Sequence, residues 1–420
     1  MPSQKGYKQK VSYAMSKQKK QVLILGGGFG GVKTALDLCD VDTYQVTLLS
    51  DSPDFKYYPA LYRSATGGSR KSSIIPLADI FEDKPVILMH EQAVKLDRDN
   101  QVVITESKQK IPYDILVVAL GSITNFFGIE GLQEFSYGIK SIEEAEKLKR
   151  HLHQQMLDDK KPDLNYVVIG GGPTGIELVG ALPHYMRWIM KHHGLKERKI
   201  NIELVESSPR LLPRMPRDLS VAVARQLRKQ GIKLYLGQTV KAQTANELII
   251  NDRPVKSHTV VWTAGMASSP FLKENNFTLE RGRVVVDEFL RAKGESAENV
   301  YVIGDNAVTE YSGMAQTALH DAAFLAANLR RLADGRVPKV YRPKKPIYVF
   351  PAGERWAAVL WGSVRLYGWL GWVLREAADW VGYHDVEPWW KASELFLAES
   401  DSEESCPMCG ESQSRSQAEV

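Results

Sequence analysis

The feature that most constrains the fold is a pattern that occurs twice: an apolar strand that runs through a glycine-rich turn into a helix. The copies read QVLILGGGFGGVKTALDL at residues 21–38 and YVVIGGGPTGIELVGAL at residues 166–182. In both, a short apolar run suits a buried parallel strand, and the residues after the glycines have helical apolar spacing. One copy would indicate one bound nucleotide, so two copies indicate a chain that holds two nucleotides at once.

The first copy has the spacing GxGxxG at Gly26, Gly28 and Gly31. In such a turn the first glycine permits the tight bend, the second lets the backbone approach a pyrophosphate, and the third lets the helix pack on the strand. The N-terminus of the helix then offers free N–H groups and a partial positive charge to the phosphates. The predicted cofactor contacts of this turn are Gly26, Gly28, Phe29, Gly30 and Gly31.

The ribose contact of the first unit departs from the usual pattern. A second strand, QVTLLS at residues 45–50, supplies the βαβ context that a GxGxxG turn requires. An acid is expected at the end of that strand, where it binds the ribose hydroxyls. Here the strand ends at Ser50 and Asp51 follows one place later, so both residues are candidates.

The second copy predicts a site for NADH in preference to NADPH. Its next strand, INIELVE, ends at Glu206, and an acid at this place pairs with the ribose hydroxyls and repels a 2′-phosphate. Arg210 lies close by in sequence and could reach a phosphate, which weakens that preference. The predicted contacts of the second turn are Gly172, Pro173, Thr174, Gly175 and Glu206.

Three further apolar runs end in glycine, as strands do at the ligand crevice of a doubly wound sheet. They read DILVVALG, HTVVWTAG and NVYVIGD, and they add Gly121, Gly265 and Gly304 to the predicted cofactor contacts. Asp305, at the end of the last run, can accept a hydrogen bond from a ribitol or ribose hydroxyl. Asp305 could alternatively be a helix N-cap without a ligand. The presence of two nucleotide-binding turns in the same chain favours the cofactor contact.

Composition excludes several classes of function. The formal net charge of +4 is too small to indicate binding of nucleic acid. The cysteines are Cys39, Cys406 and Cys409, so no disulfide framework is expected, and the chain suits a reducing compartment. Cys406 and Cys409 form one CxxC, which is half of a zinc site without its second half, so no metal site is predicted.

Six motifs together carry a family resemblance, although each alone is weak. They are LILGGGFGG, ALGS, VVIGGGPTGIELVGAL, VVWTAGMASSP, VYVIGDNA and MAQTAL, and they follow the order found in two-dinucleotide flavoprotein oxidoreductases. Over about residues 20–385 the chain resembles the type II NADH:quinone oxidoreductases, which are single-subunit enzymes of the membrane surface. The resemblance implies an α/β fold of two Rossmann-like domains, like that of glutathione reductase. It also implies hydride transfer from NADH to FAD and then two electrons to a membrane quinone, without proton pumping.

The resemblance also assigns roles to residues. Asp305 would hold the FAD ribitol, and Glu177 matches a family glutamate near the nicotinamide and flavin rings. Ala315 and Gln316 match the AQ segment beside the flavin and the quinone. The family usually has a second glutamine where this chain has His320, which leaves the quinone contact open. His320 could donate a proton to the reduced quinone or could simply lie on the helix surface.

The runs RVVVDEFLRA at residues 283–292 and YVIGD return to the first unit, so the NADH unit is expected to be inserted into the FAD unit. The expected parts are a basic arm at 1–20, an FAD-binding domain at 21–135 and 280–345, an NADH-binding domain at 136–279, a C-terminal amphipathic membrane-anchoring region at 346–397, and an acidic tail at 398–420. Both chain ends have the composition of solvated, disordered tails.

Other classes of protein remain open. Thioredoxin-reductase-like and sulfide:quinone chemistry needs redox cysteines beside the flavin, and none lies between residues 40 and 405. A soluble NAD(P)H-dependent flavoprotein reductase with another acceptor stays an alternative. So does a flavoprotein similar to apoptosis factor, with a partner-binding role.

The C-terminal stretch WAAVLWGSVRLYGWLGWVL at residues 356–374 predicts contact with a membrane surface. It is nearly long enough to span a bilayer, but it has Arg365 at its centre and several glycines. Seven of the nine tryptophans lie beyond residue 355, and tryptophan favours the headgroup region. We therefore expect helices that lie flat on the bilayer, with Arg365 and Arg375 reaching lipid phosphates. The alternative is a helical hairpin buried in a homodimer; the resemblance implies a homodimeric, peripheral protein on the cytoplasmic face.

Overall fold

The computed structural model describes residues 19–158, 165–294 and 298–400, with side chains described up to residue 397. Nearly all of the expected basic arm, the acidic tail from residue 401 and the pair Cys406 and Cys409 lie outside the described residues.

The first unit is built on a five-stranded parallel sheet. Its strands, in spatial order, are Val300–Val302, Ile115–Val118, Lys20–Leu25, Tyr44–Ser50 and Val86–His90. The central strand is apolar on both faces, because helices cover both sides of a parallel sheet. Leu23 and Ile24, which point to opposite faces, are both buried.

The second unit is a four-stranded parallel sheet. In spatial order its strands are Lys233–Leu236, Asn201–Glu206, Asn165–Ile169 and Thr259–Trp262. In sequence, all four fall between two neighbouring strands of the first sheet, Ile115–Val118 and Val300–Val302. The second unit is therefore inserted into the first, and the predicted fold class of two Rossmann-like units is confirmed.

The described residues form seven long helices. We label them α1 (Phe29–Leu38), α2 (Ile142–Leu157), α3 (Pro173–His192), α4 (Arg217–Lys229), α5 (Ala315–Ala333), α6 (Trp369–His384) and α7 (Trp389–Ser400). Short helices lie at Leu61–Ala65, Leu77–Ile80, Leu132–Phe135 and Pro270–Glu274. The start of α2 shows how local sequence sets an element. Ser141 Oγ accepts the N–H of Glu144 at 3.2 Å, and the Glu144 carboxylate accepts the N–H of Ser141 at 3.3 Å, which is a capping box.

Small antiparallel sheets complete the two units. Three-stranded sheets form from Ala93–Asp97, Val102–Thr105 and Lys110–Pro112, and from Val240–Gln243, Glu247–Ile250 and Arg253–Lys256. Two-stranded sheets pair Asp54–Lys56 with Ile74–Pro76, Leu279–Glu280 with Arg283–Val284, and Ser122–Thr124 with Met266–Ser268. The last pair joins the segment after a strand of the first sheet to the segment after a strand of the second, so it ties the two units together.

The C-terminal region differs from its expected structure. Tyr348–Pro351, Ala357–Trp361 and Val364–Gly368 form an antiparallel sheet, and α6 begins only at Trp369. The expectation of flat-lying helices from residue 356 is therefore wrong for its first half. Gly362 and Ser363 make a two-residue turn, with Gly362 at φ +61°, which is a typical hairpin signal. Among the described residues, no helix is long and apolar enough to cross a bilayer.

The arginines expected to reach lipid do not lie free at the surface. Arg375 is buried on α6, where it pairs with Asp379 and donates to the backbone oxygen of Pro59 at 3.1 Å. The expected contact of Arg375 with lipid is therefore wrong. Arg365 is exposed, but its Nε lies 2.8 Å from the carboxylate of Asp218.

Candidate active site

The first glycine turn has the geometry of a phosphate cradle. Gly26 has φ +110°, a conformation that favours glycine. A Cβ on Gly31 would lie 1.9 Å from the Gly26 oxygen, so only glycine lets α1 approach the turn this closely. A Cβ on Gly28 would meet nothing within 4 Å, which leaves open space at the N-terminus of α1. The turn thus fits a pyrophosphate bound by backbone N–H groups.

Two predicted contacts of this turn have packing roles. The ring of Phe29 is buried and meets the ring of Phe55 edge-on, with centroids 4.9 Å apart. A Cβ on Gly30 would come 3.1 Å from the Ile303 side chain. Phe29 and Gly30 can therefore reach a cofactor only through their backbone.

The ribose end of the first unit holds one residue that the sequence did not single out. Ser50 is buried, and its Oγ accepts the N–H of Ser52 at 3.2 Å, whereas Asp51 is exposed. Tyr58 has a ring that is 46 % exposed. Crowding by the protein around its hydroxyl, and then the carboxylates of Asp305 and Asp51, raise the pKa of Tyr58. Tyr58 therefore lies near both predicted carboxylates; its signal was the segment FKYYPALYRSATGG after the first ribose site.

The ends of two neighbouring strands meet around Asp305. Gly121 donates its N–H to the side-chain oxygen of Asn306 at 3.0 Å, and Asn306 returns a bond to the Gly121 oxygen at 2.8 Å. Ser122 donates to the Asp305 carboxylate at 3.0 Å, and Lys140 donates to Ser122 at 3.3 Å. Burial lowers the pKa of Lys140, and nearby carboxylates oppose that shift. Asp305 is thus oriented by a chain of donors that includes a cation from the linker between the units.

The second glycine turn repeats the first. Gly170 has φ +116°, a Cβ on Gly175 would lie 1.9 Å from the Gly170 oxygen, and a Cβ on Gly172 would meet nothing within 4 Å. Pro173 occupies the first position of α3, where its missing N–H costs nothing, and Thr174 beside it is exposed.

Glu206 lies beside this turn, and Arg210 turns away from it. The Glu206 carboxylate accepts the N–H groups of Gly171 at 2.6 Å and Ser208 at 2.7 Å. The Arg210 guanidinium donates to the backbone oxygen of Met215 at 2.7 Å and to the hydroxyl of Ser220 at 2.8 Å. Arg210 is therefore engaged within its own loop.

Glu177 lies one turn into α3, on the face that meets the C-terminal sheet. On the same face, a Cβ on Gly180 would lie 2.5 Å from the nitrogen of Gly353, and His184 lies 3.3 Å from the Glu354 carboxylate. Glu177 keeps partial exposure. Burial of its carboxyl nevertheless raises its pKa to about 7, and the cations Arg375 and Arg63 oppose that shift. A carboxyl of this kind exchanges protons near neutral pH.

Gln316 and His320 lie on α5 and hold a nearby segment of backbone. The Gln316 amide donates to the Ile347 oxygen at 3.1 Å and accepts the Ile347 N–H at 3.0 Å. His320 Nε2 lies 2.9 Å from the Arg342 oxygen and donates to it, because a carbonyl oxygen only accepts. Ala315 begins α5 at partial exposure. His320 is thus tied to the backbone of the neighbouring segment. This contact is compatible with either of its two expected roles, proton donation to the quinone or a place on the helix surface.

Further contacts fix the surroundings of the predicted residues Gly304, Asp305 and Gly265. Asp321 of α5 accepts the N–H of Gly304 at 3.0 Å, so α5 is anchored to the turn that carries Asp305. Gly265, with φ +78°, packs where the units cross, because its Cβ would lie 2.4 Å from the Asn125 oxygen. Tyr58, Ser122, Lys140 and Asn306 were missed, since their roles depend on contacts between distant parts of the chain. The described residues hold no group of side chains suited to a metal ion.

Two Rossmann-like units, one inserted into the other and each with an open glycine turn at its strand ends, define the class of oxidoreductases that bind two dinucleotides. The chain belongs to the pyridine nucleotide-disulphide oxidoreductase family, whose model matches residues 20–322.

Within this family, the chain is similar to proteins that carry the name of one enzyme. Type II NADH:quinone oxidoreductase of Staphylococcus saprophyticus is 27% identical over 346 residues, which is 77% of this chain and 85% of that protein. The protein of the same name from Staphylococcus epidermidis is 28% identical over 345 residues, covering 76% of this chain and 84% of its own length. The resemblance inferred from the sequence is thereby confirmed.

Solved structures share the fold. NDH2 from Plasmodium falciparum in complex with NADH has a TM-score of 0.79 at 18% identity and covers 91% of this chain and 97% of its own. The sulfide:quinone oxidoreductase from Aquifex aeolicus has a TM-score of 0.74 at 21% identity, covering 91% and 93%. Within the described part of the chain the one cysteine is Cys39, a free thiol at the end of α1.

Proposed function

We propose that the chain is an FAD-dependent NADH:quinone oxidoreductase of the type II class, which pumps no protons. One observation carries most of the proposal: both sheets end in glycine turns with open space at the second glycine, Gly28 and Gly172. The curated relatives named for this activity support it at the level of the sequence.

The residues of the first unit fit FAD. Backbone N–H groups at the start of α1 would bind its pyrophosphate, and the space at Gly28 admits that group. The Asp305 carboxylate, held by Ser122, would accept a ribitol hydroxyl. Ser50 or Asp51, with Tyr58 nearby, would contact the ribose. Bound FAD supplies the ring system that takes a hydride from NADH and passes two electrons to the quinone.

The residues of the second unit fit NADH. Its pyrophosphate would lie at the N-terminus of α3, and the Glu206 carboxylate would exchange its bond from Gly171 for the ribose hydroxyls. The Arg210 guanidinium donates to Met215 and Ser220, so it does not offer itself to a 2′-phosphate.

Glu177 and Gln316 would act near the rings that exchange electrons. Glu177, with a pKa of about 7, would hold or release a proton near neutral pH. Gln316 would orient the quinone side through the backbone of Ile347, which it holds by two hydrogen bonds. His320 would hold the neighbouring turn of the same segment.

A spectrum and a stopped-flow experiment test this function. Purified protein should show flavin absorbance that bleaches with NADH and returns with a quinone. We expect Gln316→Ala to slow the return several-fold more than the bleaching, because Gln316 lies on the expected quinone side. A colourless protein that takes up no flavin would refute the function. Slower bleaching with an unchanged return would refute the role of Gln316 alone.

We further propose that the protein attaches to the surface of a membrane, on its cytoplasmic face, and forms a homodimer. Exposed aromatic side chains on the C-terminal helices support attachment, since Trp369 of α6 is 61% exposed and Trp389 of α7 is 63% exposed. Light scattering of the purified protein tests the dimer. Flotation of the protein with vesicles tests the attachment.

A further inference from the structure

A strap of backbone, residues 339–347, runs beside α5 and is held to it along its length. Asn328 accepts the N–H of Lys339 at 2.9 Å and returns a bond to the oxygen of the same residue at 2.8 Å. Tyr341 donates to the Asp321 carboxylate at 2.6 Å. The bonds of His320 and Gln316 to the strap complete the attachment. The backbone of the strap is thus fixed, and its outward side chains have a defined position.

Three cations point outward from the strap. Arg342, Lys344 and Lys345 are all exposed, and none has an ion-pair partner among the described residues. Two arginines of the C-terminal region are engaged, Arg365 by Asp218 and Arg375 by Asp379. The three cations of the strap therefore add unpaired positive charge to this surface.

The strap leads directly to an apolar hairpin tip. Tyr348, the residue after the strap, pairs with Leu360, and Trp361 follows Leu360 at the start of the hairpin turn. Trp361 is 56 % exposed, and Val364, its partner across the two-residue turn, is 53 % exposed. Exposed apolar side chains and unpaired cations are thus carried by adjoining segments at this end of the C-terminal sheet.

We propose that the hairpin tip and the strap form a docking surface for anionic lipid. The inference rests on the proposed membrane attachment and adds to it the charge of the lipid. Trp361 and Val364 enter the headgroup region, where tryptophan is favoured. Arg342, Lys344 and Lys345 bind the phosphates of anionic headgroups, whose surface potential attracts such cations.

This surface also connects the membrane to the proposed quinone side. Ile347 is the last residue of the strap and the one that Gln316 holds by two hydrogen bonds. Docking of the strap on lipid therefore brings the start of α5 close to the bilayer. A quinone that leaves the bilayer there has the shortest route to Gln316.

Vesicle flotation with the full chain tests the proposal. We compare vesicles of phosphatidylcholine alone with vesicles that also contain phosphatidylglycerol. The test variant carries Arg342→Gln, Lys344→Gln and Lys345→Gln. The matched control carries Lys191→Gln, Lys196→Gln and Lys199→Gln, three exposed lysines of the NADH unit that give the same change in net charge.

We expect the wild type to prefer the anionic vesicles and to be released from them by salt. The strap variant should bind them on the order of a hundredfold more weakly, since each of the three cations adds about 1 kcal/mol near an anionic surface. The control should bind like the wild type. Equal binding of the wild type to both kinds of vesicle would overturn the proposal, and so would an equal loss in the control.

A second measurement separates this inference from the proposed function. Each variant is assayed for NADH oxidation with a short-chain, water-soluble quinone, and all should match the wild type. If the wild type reduces no quinone, the proposed function fails whatever the vesicles show. If activity is normal but binding ignores lipid charge, the docking surface alone fails.

Discussion

At the scale of single residues, Glu177 takes its chemistry from its surroundings. A glutamate one turn into a helix is ordinarily ionised at neutral pH, but here burial raises its pKa to about 7, against the opposing effect of two arginines. The carboxyl therefore gains or loses its proton more readily near neutral pH than an exposed glutamate does. Its sequence neighbours do not reveal this, because Arg63 and Arg375 come from distant parts of the chain.

Replacing Glu177 should change the pH dependence of turnover. In the wild type, we expect the rate of quinone reduction to show an inflection near pH 7, where the Glu177 carboxyl loses its proton. Glu177→Gln should remove that inflection and lower the rate, since an amide does not titrate. Glu134→Gln, at an exposed position on a short helix, is the control. An inflection that survives in Glu177→Gln would assign it to another group.

Glu206 should set the choice between the two nicotinamide cofactors. Its carboxylate lies within bonding distance of the turn, and Arg210 is committed to its own loop. Glu206→Gln removes the negative charge that repels a 2′-phosphate. We expect the ratio of kcat/KM for NADH over NADPH to fall by about tenfold, equivalent to about 1.4 kcal/mol. An unchanged ratio would show that other residues read the ribose.

At the scale of elements, the C-terminal sheet belongs to the protein core as well as to the surface. The strand Ala357–Trp361 is buried up to Leu360, and α6 packs on it so closely that a Cβ on Gly371 would lie 2.2 Å from the Ala357 oxygen. Tyr383 of α6 stacks on Tyr57 with centroids 4.2 Å apart. This region therefore supports the segment that follows the proposed first ribose site.

Truncation should unfold the protein rather than merely release it from a membrane. Deleting residues 356–397 exposes the core face of the remaining strand, so we expect a lower melting temperature and loss of bound flavin. The double variant Trp389→Ser and Trp390→Ser should keep the wild-type melting temperature, because both side chains are exposed, and should float less with vesicles. A truncated chain that melts like the wild type would contradict the packing role.

The contact between α2 and α3 should make stability sensitive to acid. His153 of α2 is buried against Tyr185 of α3, and burial, aided by His193, lowers its pKa to about 4. A histidine with a lowered folded pKa stabilises the fold above its unfolded pKa, near 6.5, and that stability is lost as the pH falls towards 4.

Urea unfolding at several pH values tests this contact. Between pH 6.5 and 4 the free energy of unfolding should fall by up to about 1.4 kcal/mol per pH unit from this residue. His153→Gln should flatten that slope, whereas His384→Gln, an exposed position on α6, should leave it unchanged. A slope that persists in His153→Gln would place the acid sensitivity elsewhere.

At the scale of the whole molecule, insertion of one unit into the other brings the functional parts together. The pair of strands Ser122–Thr124 and Met266–Ser268 joins the units, and Lys140 reaches from the linker to the donor chain of Asp305. The strap then connects α5 to the C-terminal sheet. Hydrogen bonds and strand pairs thus connect the proposed cofactor sites to the proposed membrane surface.

The sequence alone determined what depends on neighbouring residues. The two glycine turns, the strands around them and the capping box at Ser141 follow from spacing over a few residues, because tight turns and helix ends are local. The inserted order of the units was predicted from the order of the apolar runs along the whole chain. Even the C-terminal hairpin had a local signal in Gly362 and Ser363. The many tryptophans led to a prediction of helices in its place. Tryptophan at an interface suits a strand as well as a helix, so it does not distinguish between the two.

Only the tertiary structure decided which charged and polar side chains are buried and which groups they bind. Ser122 and Asp305 are 183 positions apart in sequence, and Gln316 and Ile347 are 31 apart, yet each pair is joined by hydrogen bonds. Whether Arg375 lies in the core and Lys344 in solvent depends on which elements pack above them. Burial and pairing come from the whole chain, whereas turns and caps come from a few consecutive residues.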